Sequence, residues 1–270
     1  MPQYSRHRAS SGCTGQQTVG IIPARIGSEE VHAKVLADLG GKPVIGRVYE
    51  QVIASGVFDH VLIAADHPRI LETAHQFGAA TFQTRQDHVC GTDRVAEAAR
   101  EVFPDASWIV NIQADEPFLN PGMIHQVLEP LIADPTWDIT TLGCLSTDPR
   151  QYESPFTVKI VRSSTTGRAL YFSRAVIPYP RYQQRAILQH IGLYAYQMDS
   201  LQRFAELGPS DLELAEGLEQ LRALEVEMRI QVVETNLEYP RLSIDTQQDI
   251  DRAQYLLKER GLLKERGGRA

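Results

Sequence analysis

Short apolar runs alternate along this chain with stretches whose apolar residues recur at helical spacing. The run Val19-Gly20-Ile21-Ile22-Pro23 is apolar throughout, as strands buried on both faces are. From Pro43 to Ser55 the spacing turns helical and puts Val44, Val48, Val52 and Ile53 on one face. His60 to Ala65 predicts a second buried strand ending at Asp66, Pro68 to Phe77 a helix, and Ala79 to Gln83 a short strand. Asp93 to Val102 predicts a helix with Val95, Ala98 and Ala99 inward, followed by a strand from Trp108 to Ile112. Such alternation marks an open, mostly parallel α/β sheet with helices on both faces.

Past Pro149 the rhythm changes. Thr157 to Val161, Ala169 to Phe172 and Ile191 to Tyr196 are strand-like but separated by turns, which predicts an antiparallel insertion at about 150–200 or a second sheet. A helix from Asp211 to Leu224, a strand from Arg229 to Val233 and a last helix from Ile250 to Arg260 return to the α/β style. With 270 residues, the reading is one domain over 18–258 between two tails. Residues 1–17 carry Arg6, His7 and Arg8 among Ser and Gly without the apolar core of a secretory signal, so a disordered tail and a cytoplasmic protein are expected. Over 259–270 the tail continues a repeat of Leu-Leu-Lys-Glu-Arg-Gly, read as a surface extension of the last helix.

Charge narrows the partners. The formal net charge is −7 and no basic face is visible, which excludes a nucleic-acid role; a bound phosphate would have to be met by local groups. No apolar run approaches the roughly 18 to 20 residues that cross a bilayer, so membrane insertion is not expected. Cys13, Cys90 and Cys144 form no CxxC pair, which argues against a disulfide framework or a zinc site.

In open α/β sheets ligands sit beyond the carboxyl ends of the strands. After the first strand, Pro23-Ala24-Arg25-Ile26-Gly27-Ser28 leads through Lys34 to Gly41-Lys42-Pro43, a loop whose free N–H groups and lysine suit phosphates, although it is neither a Walker loop nor a dinucleotide fingerprint. Asn111-Ile112-Gln113-Ala114-Asp115-Glu116-Pro117 ends a strongly apolar strand in two carboxylates, oxygen ligands of the kind a hard cation takes; a solvated turn accounts for one of them. Asp245 follows a late apolar segment and reads either as a third such acid or as the N-cap of the last helix, with the spacing favouring the cap. Cys90-Gly91-Thr92-Asp93-Arg94 opens a helix that Thr92 is placed to cap. Arg174 and His190 are single polar groups among strand residues, a pattern most often structural.

Taken in order, these segments resemble the 3-deoxy-manno-octulosonate cytidylyltransferases from about Val19 to Leu257. The marks include Ile22-Pro23-Ala24-Arg25, Gly41-Lys42-Pro43, Ala65-Asp66-His67, Cys90 to Arg94, Asn111 to Pro117, Val158-Lys159, Ala169 to Ala175, Ile177-Pro178, His190 to Tyr194, Leu218 to Arg222 and Asp245-Thr246. The resemblance implies a Rossmann-like nucleotide-diphospho-sugar transferase fold with an antiparallel dimerisation insertion. It implies CTP and a 3-deoxy sugar acid as substrates, CMP-Kdo and pyrophosphate as products for lipopolysaccharide biosynthesis, and a homodimer. Pro23, Ala24, Arg25, Cys90, Gly91, Thr92, Arg94 and Gln113 would line the nucleotide pocket, and Lys34 would contact the triphosphate. Asp115 and Asp245 would hold Mg²⁺, which turns the reading of Asp245 from cap to ligand. On the sugar side fall Arg174, His190, Tyr194, Glu219 and Gln220, with the Arg174 fork suited to the sugar carboxylate.

The phosphate loop departs from the pattern. Relatives read close to Ser-Thr-Arg-Leu-Pro-Gly-Lys-Pro-Leu where this chain has Ser28-Glu29-Glu30-Val31-His32-Ala33-Lys34-Val35-Leu36. A charge pair at about 4 Å and an effective dielectric constant of about 20 is worth roughly 4 kcal/mol, so Glu30 in place of a cation opposes CTP unless Glu29 and Glu30 face outward. Cys90 stands where Ser is usual and Ala114 where Gly is usual, both small changes. Three readings follow: an active enzyme with a rearranged loop; a cytidylyltransferase for a related acid, such as an amino-substituted octulosonate or a nonulosonate; and a nucleotide- or sugar-binding paralogue without catalysis.

Overall fold

The structure, a computed structural model, describes residues 16–26, 34–182 and 186–260. Most of the expected N-terminal tail, the altered stretch 27–33 and the second copy of the C-terminal repeat lie outside the described residues.

Nine strands form one sheet: β1 (Gln17–Ala24), β2 (His60–Ala65), β3 (Ala80–Gln83), β4 (Ala106–Asn111), β5 (Ile139–Ser146), β6 (Lys159–Arg162), β7 (Ala169–Ser173), β8 (Ile187–Gln197) and β9 (Ile230–Glu234). The main path runs β3-β2-β1-β4-β8-β5-β9, with β6 and β7 attached through β8. Strands β1 to β4 pair in parallel, β8 runs antiparallel between β4 and β5, and β9 returns parallel to β5. Every residue of β1 after Gln17 is buried, the signature of a strand covered on both faces.

The cover consists of α1 (Val44–Ala54), α2 (Pro68–Gln76), α3 (Gly91–Val102), α4 (Pro121–Ala133), α5 (Pro149–Glu153), α6 (Met198–Glu206), α7 (Asp211–Glu216), α8 (Gln220–Glu225) and α9 (Gln247–Glu259). One apolar core packs Ile45, Val48, Val52, Ile70 and Met123 of α1, α2 and α4 against Ile22, Ile63 and Val110. The opposite core packs Val95, Leu201 and Leu221 of α3, α6 and α8 against Ile21, Leu62 and Ile109. Alternation along each strand sends neighbours to opposite cores. A smaller cluster of Leu39, Val44, Phe118, Leu242, Ile244, Ala253 and Leu257 seats α9 and the segment before it beside the loop after β4.

Three expectations are corrected. The inserted strands β6 to β8 continue the main sheet and do not form a second one, because β8 spans from β4 to β5 while β6 pairs with its start. The helix expected over Asp211 to Leu224 breaks at Gly217, which adopts φ 61°, ψ 43° and donates its N–H to Glu213 O at 2.7 Å. Glycine has no Cβ to oppose that left-handed conformation, and the chain restarts as α8. Cys90, not Thr92, occupies the N-cap of α3, so the helix begins two residues before the expected Asp93. The apolar pattern alone did not single out α4, α6 or β5. For α4 a local signal existed, since the Asn120 side chain caps it by accepting from Gly122 N at 2.9 Å, with Pro121 at the first helical position.

Candidate active site

The carboxyl ends of β1, β4, β5 and β9 lie at one edge of the sheet, and the antiparallel run of β8 delivers His190 to the same edge. At its centre are two acids. Ile244 N donates to Asp115 O at 2.9 Å and stitches the loop after β4 to the segment before α9, so Asp245 stands beside Asp115. Burial and then the Asp245 charge push the Asp115 carboxyl up, against a hydrogen bond from Ser243 and the Lys34 charge. Glu116 is pushed up to about 8 by burial and by both neighbouring aspartates, and its Oε2 is enclosed with no hydrogen-bond partner among the described residues. Lys34, in a 3-10 turn over Lys34–Leu36, donates from Nζ to Asp245 Oδ1 at 2.7 Å across 211 positions of sequence. Thr246 caps α9 in a capping box with Asp249, so Asp245 is not the cap and its carboxylate faces the acidic cluster.

Among the described residues this arrangement is short of positive charge: three acids meet one lysine. Among the described residues no group of three or more His, Cys, Asp or Glu is arranged to hold a metal, so a protein-only cage is absent. Magnesium fits what is present, because it takes one or two carboxylates and completes its shell with water and substrate phosphates. An open cleft of about 560 Å³ lies alongside, lined in part by Cys144, Glu234, Tyr239 and Arg241, with Tyr239 close enough to Glu116 to feel its charge.

The second half of the site joins the ends of β1 and β4 to the start of α3. A Cβ placed on Gly91 would lie 3.6 Å from Pro23 Cγ, so these two loops touch. Asp66, at the end of β2, accepts from Ile26 N at 3.3 Å and from Arg94 Nη2 at 2.9 Å. Arg94 is 3% exposed and also donates to Thr84 Oγ1, so it supports the first loop through Asp66 from behind the pocket wall. Thr92 and Asn111 are fully buried and hydrogen-bonded to each other at 3.0 Å, and Gln113 reaches Asn111 at 3.5 Å.

The cytidylyltransferase family profile matches residues 19–230. A 3-deoxy-manno-octulosonate cytidylyltransferase of Trichlorobacter lovleyi is 42% identical over 255 residues, covering 90% of this chain and 99% of the relative. That of Lawsonia intracellularis is 45% identical over 245 residues, covering 89% and 94%. The chain belongs to the 3-deoxy-manno-octulosonate cytidylyltransferase family. A solved structure described as CMP:2-keto-3-deoxy-manno-octonic acid synthetase complexed with CTP superposes with a TM-score of 0.84 at 35% identity, covering 91% of this chain and all of that one. The nucleotidyltransferase fold of this cytidylyltransferase is therefore shown.

The residues that the resemblance assigned to the sugar are not equally open. His190 accepts or donates through Nε2 to Thr141 Oγ1 at 3.1 Å, stacks edge-on to Phe172, and is pushed down to about 3 by burial. Tyr194 is buried, which drives its phenol well above the usual range. Glu219 accepts from Thr92 Oγ1 at 2.6 Å and is raised by burial. Gln220 is 4% exposed with Nε2 unpartnered, a donor aimed at no protein group among the described residues. Arg174 differs from its expected use. Its guanidinium donates to the carbonyls of Glu216 at 2.7 Å, Pro155 at 3.0 Å and Gly217 at 3.4 Å, so the fork braces the wall and is not free for a carboxylate. Arg25 is exposed at the end of the first strand.

Sequence reasoning passed over Asp66 and Asn111 as site residues, and named Glu116 only as the second of two carboxylates suited to a hard cation. Each carried a signal: a polar residue directly after or within an apolar run has no packing reason to be there.

Proposed function

We propose that this chain transfers CMP from CTP to 3-deoxy-D-manno-octulosonate, giving CMP-Kdo and pyrophosphate for lipopolysaccharide biosynthesis. The observation that carries it is the meeting of Lys34, Asp115 and Asp245 at the strand ends, in a chain whose relatives bear that name. The anomeric hydroxyl of the sugar attacks the α-phosphorus of CTP, the bond to the β-phosphate oxygen breaks, and the hydroxyl proton leaves to solvent. Positioning and charge neutralisation supply most of the acceleration in such transfers. Asp115 and Asp245 would hold Mg²⁺, which when bound supplies neutralisation of phosphate charge and polarisation of the phosphoryl group. Lys34 leaves its partner Asp245 to meet the triphosphate, and the Pro23–Ala24 and Gly91–Thr92 loops cradle the nucleoside. Gln220 Nε2 offers the sugar an unpaired buried donor.

The protein is read as cytoplasmic; no described helix is long and apolar enough to cross a membrane. A homodimer through the inserted strands accounts for Phe156, Tyr179 and Tyr182, which are 90%, 82% and 89% exposed beside them. Sedimentation equilibrium tests it, and a monomer at micromolar concentration would refute it.

The function is tested by pyrophosphate release from CTP, Mg²⁺ and the sugar acid, with wild type, Asp115→Asn and Glu30→Arg in parallel. Turnover by wild type that Asp115→Asn loses supports the reading. An inactive wild type restored by Glu30→Arg would instead identify a binding paralogue whose loop charge blocks CTP, and activity retained in Asp115→Asn would remove the metal role of that residue.

A further inference from the structure

Asn111 ends β4 after Trp108-Ile109-Val110 and is 0% exposed, a place where the pattern calls for another apolar residue. A buried amide is destabilising unless its groups are paired. Here they are paired in one direction. Gln113 Nε2 donates to Asn111 Oδ1 at 3.5 Å, Asn111 Nδ2 donates to Thr92 Oγ1 at 3.0 Å, and Thr92 donates to Glu219 Oε1 at 2.6 Å.

The direction follows from counting donors. The Thr92 and Cys90 hydrogen bonds and the Arg222 charge favour the ionised form of Glu219 against burial; an ionised carboxylate only accepts, so at 2.6 Å the single Thr92 proton belongs to Glu219. Thr92 Oγ1 then has only lone pairs to offer Asn111, which must present its NH₂ and turn its carbonyl oxygen to Gln113. Glu219 is further held by the Cys90 thiol and the Arg222 charge, so its position is set from the α3 and α8 sides, while Asn111, beside the Tyr196 phenol that also bonds Thr92, sets the hydroxyl that faces it. Three elements that lie 19 and 127 positions apart are joined in this way, one at the nucleotide side and one at the sugar side.

We propose that Asn111 is a positioning residue of the transfer reaction: it turns the Thr92 hydroxyl towards Glu219 and thereby ties the nucleotide loop to the sugar-side helix α8. The proposal deepens the function given above and rests on it for its kinetic consequence. Asn111→Asp is close to isosteric and keeps the acceptor for Gln113. It replaces the donor by an oxygen that competes with Glu219 for the one Thr92 proton.

Steady-state kinetics on Asn111→Asp, Thr92→Val and the double variant test this. Asn111→Asp is expected to lower kcat/KM for the sugar acid by roughly 10- to 100-fold, as for a hydrogen bond to a charged group, chiefly by raising the sugar KM, and to change the CTP KM far less. Thr92→Val should give a similar loss, and the double variant no more than either alone. Losses that multiply in the double variant would overturn the proposal. So would an unchanged sugar KM with only a lower Tm and a smaller active fraction, the result of a merely structural role. If wild type releases no pyrophosphate the proposed function fails, and urea unfolding still decides the relay. Asn111→Asp and Glu219→Gln should then be non-additive in stability in the wild-type background and additive once Thr92→Val is present; additivity in both backgrounds would overturn it.

Discussion

Glu116→Gln should make the ligand-free protein more stable. A carboxyl moved from 4.5 to about 8 carries its penalty on the charged form, and burial with Asp115 and Asp245 nearby is the cause. At 1.36 kcal/mol per pH unit this is roughly 3 kcal/mol against the folded state at pH 7. Solvent reaching part of the side chain, and the new amide's own hydrogen-bonding needs, reduce the expected gain to about 1–2 kcal/mol. For a chain of this size that is a rise in Tm of roughly 2–8 °C. The sign with pH is fixed by linkage: a carboxyl whose folded pKa is raised contributes nothing adverse below its unfolded value, and stability is lost progressively as pH rises to the folded value. The gap between variant and wild type should therefore open above pH 4.5, widen to about pH 8 and then stay level. Urea titrations at half-unit steps from pH 5 to 9 measure it. A variant less stable than wild type at pH 7, or a gap that does not change with pH, would refute the account of the acidic cluster. Millimolar Mg²⁺ with CTP should stabilise wild type more than the variant, because a bound cation favours the charged carboxylates.

Lys34→Met should leave stability within about 1 kcal/mol, since its pair with Asp245 is largely exposed, while the CTP KM rises at least roughly tenfold; unchanged CTP kinetics would remove Lys34 from the site. Arg222→Met should cost about 3–5 kcal/mol in urea unfolding because it strands a buried carboxylate: Arg222 is 2% exposed at the side chain and grips Glu213 with Nε and Nη2, both at 2.6 Å. A loss below about 1 kcal/mol would show that Glu213 finds another partner. His190, pushed down to about 3, stays neutral in the folded chain while the unfolded chain protonates near 6.5. Stability should thus fall as pH drops from about 6.5 towards 3, with a slope of up to roughly 1.4 kcal/mol per pH unit from this group. His190→Gln should flatten that slope, and an equal slope in the variant would assign it elsewhere.

The apolar rhythm of the chain determined most of its architecture. The strands at His60 to Ala65 and Ala79 to Gln83, and the helices around Val44 and Val95, appear where their periodicity puts them, because local alternation directly reports which face is buried. Ordered motifs such as Asn111 to Pro117 were likewise legible, since acids at the end of a buried strand have no packing explanation. What periodicity does not carry is which distant groups meet. By spacing alone Asp245 reads as a cap; the packing of Leu242 and Ile244 sets it beside Asp115 and Lys34, and Thr246 takes the cap. Arg174 read as free for a carboxylate until the break at Gly217 offered it backbone carbonyls. The strand order decided both the Asp66 to Arg94 pair and the line from Gln113 to Glu219. A side chain's partners depend on the path of the whole backbone, and the energy of a buried charge or amide depends on those partners. Local sequence therefore named the chemical groups, and only the tertiary structure assigned each of them its neighbour.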